Sequence, residues 1–171
     1  MKFIICFLLP VLSFGQSKLD TITLFSNKVK MLAPKELTAI SDQMWTLKYQ
    51  NRKRPILALS DEAGEVNLIG DMTQQAALEA QLESFRDYQI QQLKKSHPDM
   101  VLLDKGVRSN SKTKICYFKF VTQAIDQKVF NYYFFTVIEG KILIFTFNCI
   151  TKLQKKWESA ADQIVASVTA K

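Results

Sequence analysis

The sequence is poor in the residues that usually betray catalytic machinery. It has one histidine, three cysteines, four prolines and five glycines among 171 residues. Histidine is the common proton shuttle near neutral pH, but His97 stands alone before Pro98 and reads as an exposed residue at a helix end. Cys116 and Cys149 both fall in apolar runs remote from it, which removes a cysteine–histidine nucleophile. G-x-S-x-G, Walker, G-x-G-x-x-G and H-E-x-x-H motifs are absent. The sequence offers no close-spaced metal-ligand set and points to no cofactor. Asp61, Glu62 and Glu65 surround Gly64 without the spacing of a calcium loop, so they read as a tight turn. With so little glycine and proline there is no room for a linker, and one domain is expected over residues 16–171.

Long apolar runs are lacking too. The longest, residues 3–12, lies in MKFIICFLLPVLSFG and is too short to span a bilayer core of about 30 Å. A lysine precedes it and Ser13-Phe14-Gly15 follows it, which is the layout of a secretory signal peptide over residues 1–15. Cleavage before Gln16 would release a periplasmic or secreted protein with no transmembrane segment. Cys6 sits inside the apolar run, so it cannot become the lipid-bearing first residue of a lipoprotein.

Residues 114–150 are what the chain has in abundance. They read KICYFKFVTQAIDQKVFNYYFFTVIEGKILIFTFNCI, three β-branched and aromatic runs broken at 123–128 and at Glu139-Gly140. Breaks this short make hairpins, so the stretch is an antiparallel meander. Alternation along it is weak and both faces carry apolar bulk, which predicts a sheet covered by helices on both sides. Pairing Thr122 with Val129 and Ile138 with Lys141 sets Cys116 opposite Phe135 and then Ile144. Cys149 lies five residues further on, roughly 17 Å away. A disulfide needs Cα atoms within about 7 Å, so two separate thiols are expected, although an exported protein could hold a bridge.

In chain order, a polar lead with Leu19, Ile22, Leu24 and Phe25 precedes a first strand at 29–33, closed by Pro34. Ser41-Asp42 caps a short helix to Tyr49, with Met44, Trp45 and Tyr49 inward. A basic turn leads to a hairpin, strands 56–59 and 65–69 around the turn at Gly64. Thr73 caps a long helix to Ser96, with Leu78, Leu82, Phe85 and Leu93 on one side. A strand at 100–103 and a polar loop at 106–113 precede the meander. Thr151 then caps a terminal helix in which Leu153, Trp157, Ala161, Ile164 and Val168 share one side.

A formal charge of +7 favours anionic partners, though it also serves solubility. The densest basic group is Arg52, Lys53 and Arg54, beside Lys48, Tyr49 and Trp45. A second, Lys152, Lys155 and Lys156, opens the terminal helix, where positive charge opposes the helix dipole. These six residues are the candidate anion contacts, either to an anionic surface or as solvated charge. Export argues against nucleic acid as the partner.

The order of elements resembles the Mog1/PsbP-like fold, an α+β antiparallel sheet with helices on both faces, an α/β/α sandwich. The features that carry the resemblance are 29–34, the hairpin 56–69, the long helix, and above all 132–137, 142–148 and 157–168. The rival is a cystatin-like or nuclear-transport-factor-like α+β roll, disfavoured because a second amphipathic helix requires a second covered face. The resemblance implies a non-enzymatic binding or accessory module, engaging a protein partner. The alternatives are a protein that binds anionic lipid or acidic glycan, and a hydrolase built from carboxylates and tyrosines such as Tyr117, Tyr132 and Tyr133.

Overall fold

The computed structural model describes residues 17–50, 52–110 and 113–170, so the expected signal peptide lies outside the described residues. The elements are β1 (Leu19–Leu24), β2 (Val29–Pro34), β3 (Thr38–Ala39), α1 (Asp42–Tyr49), β4 (Leu57–Ser60) and β5 (Val66–Ala76). A 3-10 turn at Glu79–Gln81 leads into α2 (Leu82–Ser96), followed by β6 (Val101–Asn110), β7 (Thr113–Gln123), β8 (Lys128–Ile138), β9 (Lys141–Ile150), α3 (Thr151–Ser167) and β10 (Thr169–Ala170).

Antiparallel pairing builds a seven-stranded sheet in the order β3-β4-β5-β9-β8-β7-β6 and a small sheet in the order β1-β2-β10. The meander is its centre, and its register is the one read from the sequence: Thr122 faces Val129, Ile138 faces Lys141, and Cys116 faces Phe135, which faces Ile144. Because strand residues alternate, the large sheet buries two separate cores. Cys116, Phe118, Phe120, Phe135 and Ile142 point toward α2. Ile115, Phe130, Tyr132, Phe134, Leu143, Phe145 and Phe147 point toward α3 and β2. The α+β sandwich expected from apolar bulk on both faces is therefore the fold.

The α3 face is sealed. Trp157, Ala160, Ala161, Ile164 and Val165 cover it from the helix, and Val29, Met31 and Ala33 from β2. Gly70 of β5 leaves room for the Phe145 ring, into which an added Cβ would run, and that ring stacks on Phe134 with centroids 5.1 Å apart. Ser167 at the end of α3 accepts the Leu32 amide at 2.8 Å, tying the helix to β2. An ion cluster ties it to the meander. Asp162 accepts from Arg108 at 2.6 Å, from Lys119 at 3.2 Å and from the Tyr132 hydroxyl at 3.2 Å, and Lys119 also reaches Glu158 at 3.1 Å. Two cations meet two carboxylates, so the buried Lys119 ammonium is compensated.

Several local expectations are corrected. The polar lead at 19–25 forms β1 and hairpins onto β2 through Phe25, Ser26 and Asn27, all at positive φ without a glycine. Thr73 caps nothing: β5 runs on to Ala76 because β9 needs a partner along its length, and α2 starts only at Leu82. Leu78, expected on the buried stripe, is 70% exposed. The expected polar loop at 106–113 continues β6 as far as Asn110. Gly106 fits there because a Cβ would meet the Tyr117 hydroxyl at 2.8 Å. Thr151 is the first residue of α3, and the cap position is Ile150, which makes no side-chain cap bond.

Three measurements test the cores. Trp157 is 3% exposed and tilts over Phe147 with ring centroids 6.1 Å apart. Trp157→Ala should lose about 3 to 5 kcal/mol in urea unfolding, while an unchanged midpoint would mean that α3 does not close the core. Cys116 and Cys149 are both free, buried and on opposite faces of the sheet. Burial raises both thiols, Cys149 to about 12, so a thiol reagent at pH 8 should find neither in the folded protein and both after unfolding without reductant. Above the ordinary thiol value of 9.0 the unfolded Cys149 ionises and the folded one does not until about 12. Its contribution to stability, complete below that window, is lost as pH rises through it, and Cys149→Ala should flatten the decline.

Candidate functional site

The α2 face is covered unevenly. Beneath α2 the floor is dry, but on β5, β8 and β9 the residues Ile69, Asp71, Tyr133, Ile144, Thr146 and Asn148 are only partly buried. Their neighbours pointing to the other face, Leu68, Tyr132, Phe134, Leu143, Phe145 and Phe147, are essentially without solvent contact. The half-open residues lie side by side in register: Ile69 faces Thr146, which faces Tyr133, and Asp71 faces Ile144. Helices α1 and α2 both sit on this face, and the half-open row runs as a trough along the sheet beside α1, with Tyr133 and Ile144 at the edge of the α2 core.

Helix α1 forms one wall. Ser41 caps it by accepting the Met44 amide at 3.2 Å, and Asp42 and Lys48 complement the dipole at its two ends. Trp45 is buried, and its indole donates to the Arg52 carbonyl at 3.0 Å, which holds the following basic loop against the helix. Tyr49 stacks on Trp45 with centroids 4.3 Å apart. A hollow of about 280 Å³ opens here, lined by Trp45, Tyr49, Arg52, Lys53, Pro55, Ile69, Tyr133, Thr146 and Asn148. A second hollow of about 270 Å³ lies beyond Tyr49, with Lys48, Asn67 and Gln127 in its lining.

A row of polar groups crosses the floor at that end. Asn67 donates to Asn148 at 2.9 Å and accepts from Ser60 at 2.9 Å and from Lys48 at 3.1 Å. Lys48 also donates to the Gly64 carbonyl. Burial lowers the Lys48 ammonium, with Asp61 opposing the shift. Burial likewise raises the Tyr49 phenol, helped by Tyr133, and the Tyr133 phenol, against the effect of its bond to Thr146. Both phenols are neutral hydrogen-bonding groups at physiological pH. The trough is thus an aromatic and amide-lined concavity able to hold a ligand, with cations at one rim.

The six candidate anion contacts do not form one site. Arg52 and Lys53 are exposed at the rim of the first hollow. Arg54 is committed to Asp42 and the Ile40 carbonyl, with its guanidinium 5.9 Å from the Trp45 ring centroid. Lys152, Lys155 and Lys156 ride on α3, across the sheet from α1. Lys156 lies 5.2 Å from the Trp157 ring centroid.

Of the tyrosines weighed for catalysis, Tyr117 and Tyr132 lie edge to face on the α3 side with ring centroids 5.5 Å apart, and Tyr133 is separate from them. The Tyr117 and Tyr132 hydroxyls bond Asp104 and Asp162, whereas Tyr133 points to the other face. His97 is the exposed C-terminal cap residue of α2. The Asp61 carboxylate accepts the Val66 amide within its turn, with Gly64 at φ 73°. Among the described residues there is no cluster of three metal-ligating side chains, and no helix is long and apolar enough to cross a membrane.

Sequence reasoning missed the trough. Its signal was present in Asn131, Thr146 and Asn148, which interrupt otherwise apolar strands, but only the register shows that the polar positions converge on one end of one face.

No family model matches the sequence, and no curated protein matches it. Solved structures do. The cyanobacterial PsbP (CyanoP) from Synechocystis sp. PCC 6803 is similar at a TM-score of 0.65 and 12% identity, over 93% of this chain and 96% of that one. The Ran-binding protein Mog1p of Saccharomyces cerevisiae gives 0.54 and 9%, over 91% and 96%. LpqN of Mycobacterium tuberculosis, involved in cell envelope biogenesis, gives 0.58 and 10%, over 89% and 90%. Likeness at such identities is a likeness of fold, and the chain has the Mog1/PsbP-like fold.

Proposed function

We propose that the chain is an exported, non-enzymatic binding module that holds a protein partner in the trough beside α1. One observation carries this reading: the two faces of one sheet are finished differently, sealed under α3 and left half-open along Ile69, Tyr133, Ile144, Thr146 and Asn148. Apolar and amide groups left in a concavity suit an interface core better than they suit solvent. The fold likeness to a Ran-binding protein adds support, since that relative engages another protein. Export rests on the signal-like residues 1–15.

The test is affinity purification of the exported protein from its native cell envelope or medium. The captured chain should begin at Gln16 by intact mass and bring one protein with it in stoichiometric amount. Ile69→Lys places a charge on the trough floor and should lose that protein at least tenfold, with folding intact by melting temperature. Lys155→Glu, on the far face, should keep it. Retention of the partner by folded Ile69→Lys would overturn the reading.

A second reading is favoured by α3, whose first turn holds Lys152 and no acidic residue, with Lys155 and Lys156 following. Those lysines would engage an anionic lipid or glycan surface. Binding to anionic vesicles should then weaken as salt shortens the screening length toward about 8 Å. Replacing the three by glutamine should abolish it without lowering the melting temperature. Absence of vesicle binding at low salt would leave these lysines as solubilising charge.

A further inference from the structure

The hollow beside Tyr49 carries a more specific reading of the partner, which rests on the trough being the docking surface. Its walls are the stacked Trp45 and Tyr49 pair with Pro55, and its floor is Ile69 beside Tyr133, Thr146 and Asn148. At about 280 Å³ it holds one large side chain and no folded element. Planar walls of this kind accept an aromatic ring by stacking or edge contact. Tyr133, Thr146 and Asn148 offer neutral hydrogen-bonding groups at the floor, where an extended backbone could pair.

Charge decides what flanks that ring. None of the residues lining the hollow is acidic, while Arg52 and Lys53 stand exposed at its edge. Their side chains make no ion pair among the described residues, whereas the next residue in the loop, Arg54, is held by Asp42 and the Ile40 carbonyl. The Trp45 indole bond to the Arg52 carbonyl fixes the loop so that both cations stay at the rim. A recessed, ring-sized hollow bordered by two such cations fits a chain with an aromatic residue among carboxylates better than it fits a flat membrane surface. We propose that it captures an acidic, aromatic-bearing peptide segment of the partner protein.

Trp45 provides the readout, because the other tryptophan, Trp157, is sealed on the opposite face. The probes are acetylated, amidated peptides added to the mature protein at low salt: Asp-Glu-Phe-Asp-Glu, its neutral counterpart Asn-Gln-Phe-Asn-Gln, and Asp-Glu-Ala-Asp-Glu without the ring. The first should change Trp45 fluorescence saturably, with affinity falling as salt is added. Each of the others should bind at least about fivefold more weakly, as expected for losing two exposed ion pairs or one buried ring. Arg52→Gln with Lys53→Gln should weaken the acidic peptide about fivefold at an unchanged melting temperature, and Arg52→Lys with Lys53→Arg should restore most of it. Equal binding of acidic and neutral peptides would overturn the proposal. So would no binding of the acidic peptide, or a fluorescence response to anionic vesicles in place of the peptide. Such a failure, with a native partner still lost in Ile69→Lys, would condemn the acidic segment and leave the trough standing.

Discussion

Every layer of this molecule answers to one constraint, the meander that is apolar on both faces. Strands β7, β8 and β9 present Phe118, Phe120 and Phe135 one way and Phe130, Phe134, Phe145 and Phe147 the other. At roughly 25 cal/mol per Å² of apolar surface, leaving either set in water would forfeit more than a domain's net stability of about 5 to 15 kcal/mol. Two covering layers are therefore obligatory. The chain supplies them from its ends and middle: β1, β2, α3 and β10 close one face, and α1 and α2 close the other. The proposed binding surface lies where that second covering stops short.

The two coverings differ in kind. Helix α3 is locked by Trp157, by the Asp162 cluster and by the Ser167 bond to β2, so the centre of the sheet beneath it is closed. Helix α2 covers the β6 to β8 side with Leu82, Phe85 and Ile90, and Arg86 secures it by donating to the Gly106 carbonyl at 3.1 Å. The eight residues of α1 cannot span what remains. Their buried contribution is Trp45, and past it the floor turns to Thr146, Asn148 and Asn67, groups that can stay near water because they bond one another or solvent.

Much of the fold was legible in the sequence because the strongest signals were local. Two short breaks in residues 114–150 fixed the meander and its register closely enough to place Cys116 opposite Phe135 and Ile144 and to rule out a disulfide. The amphipathic stripe of α3 and the cap at Ser41 were equally plain. What failed depended on partners remote in sequence. Strand β5 extends past Thr73 because β9 lies beside it, and β6 extends past Gly106 because β7 does. The β1 hairpin turns on Phe25, Ser26 and Asn27, whose positive φ no glycine announces. Of the site, the basic loop at Arg52 and Lys53 was visible as charge. Its position over an aromatic hollow was not, since Trp45, Ile69, Tyr133 and Thr146 meet only after folding.

Hydroxyl-radical footprinting of the protein, alone and with the captured partner proposed above, tests directly whether one face is sealed and the other binds. Neighbouring residues on opposite faces are the internal comparison. Ile69 and Ile144 should be labelled in the free protein and protected in the complex, while Leu68 and Leu143 stay unlabelled in both. Labelling of Ile69 and Ile144 that the bound partner leaves unchanged would contradict the account.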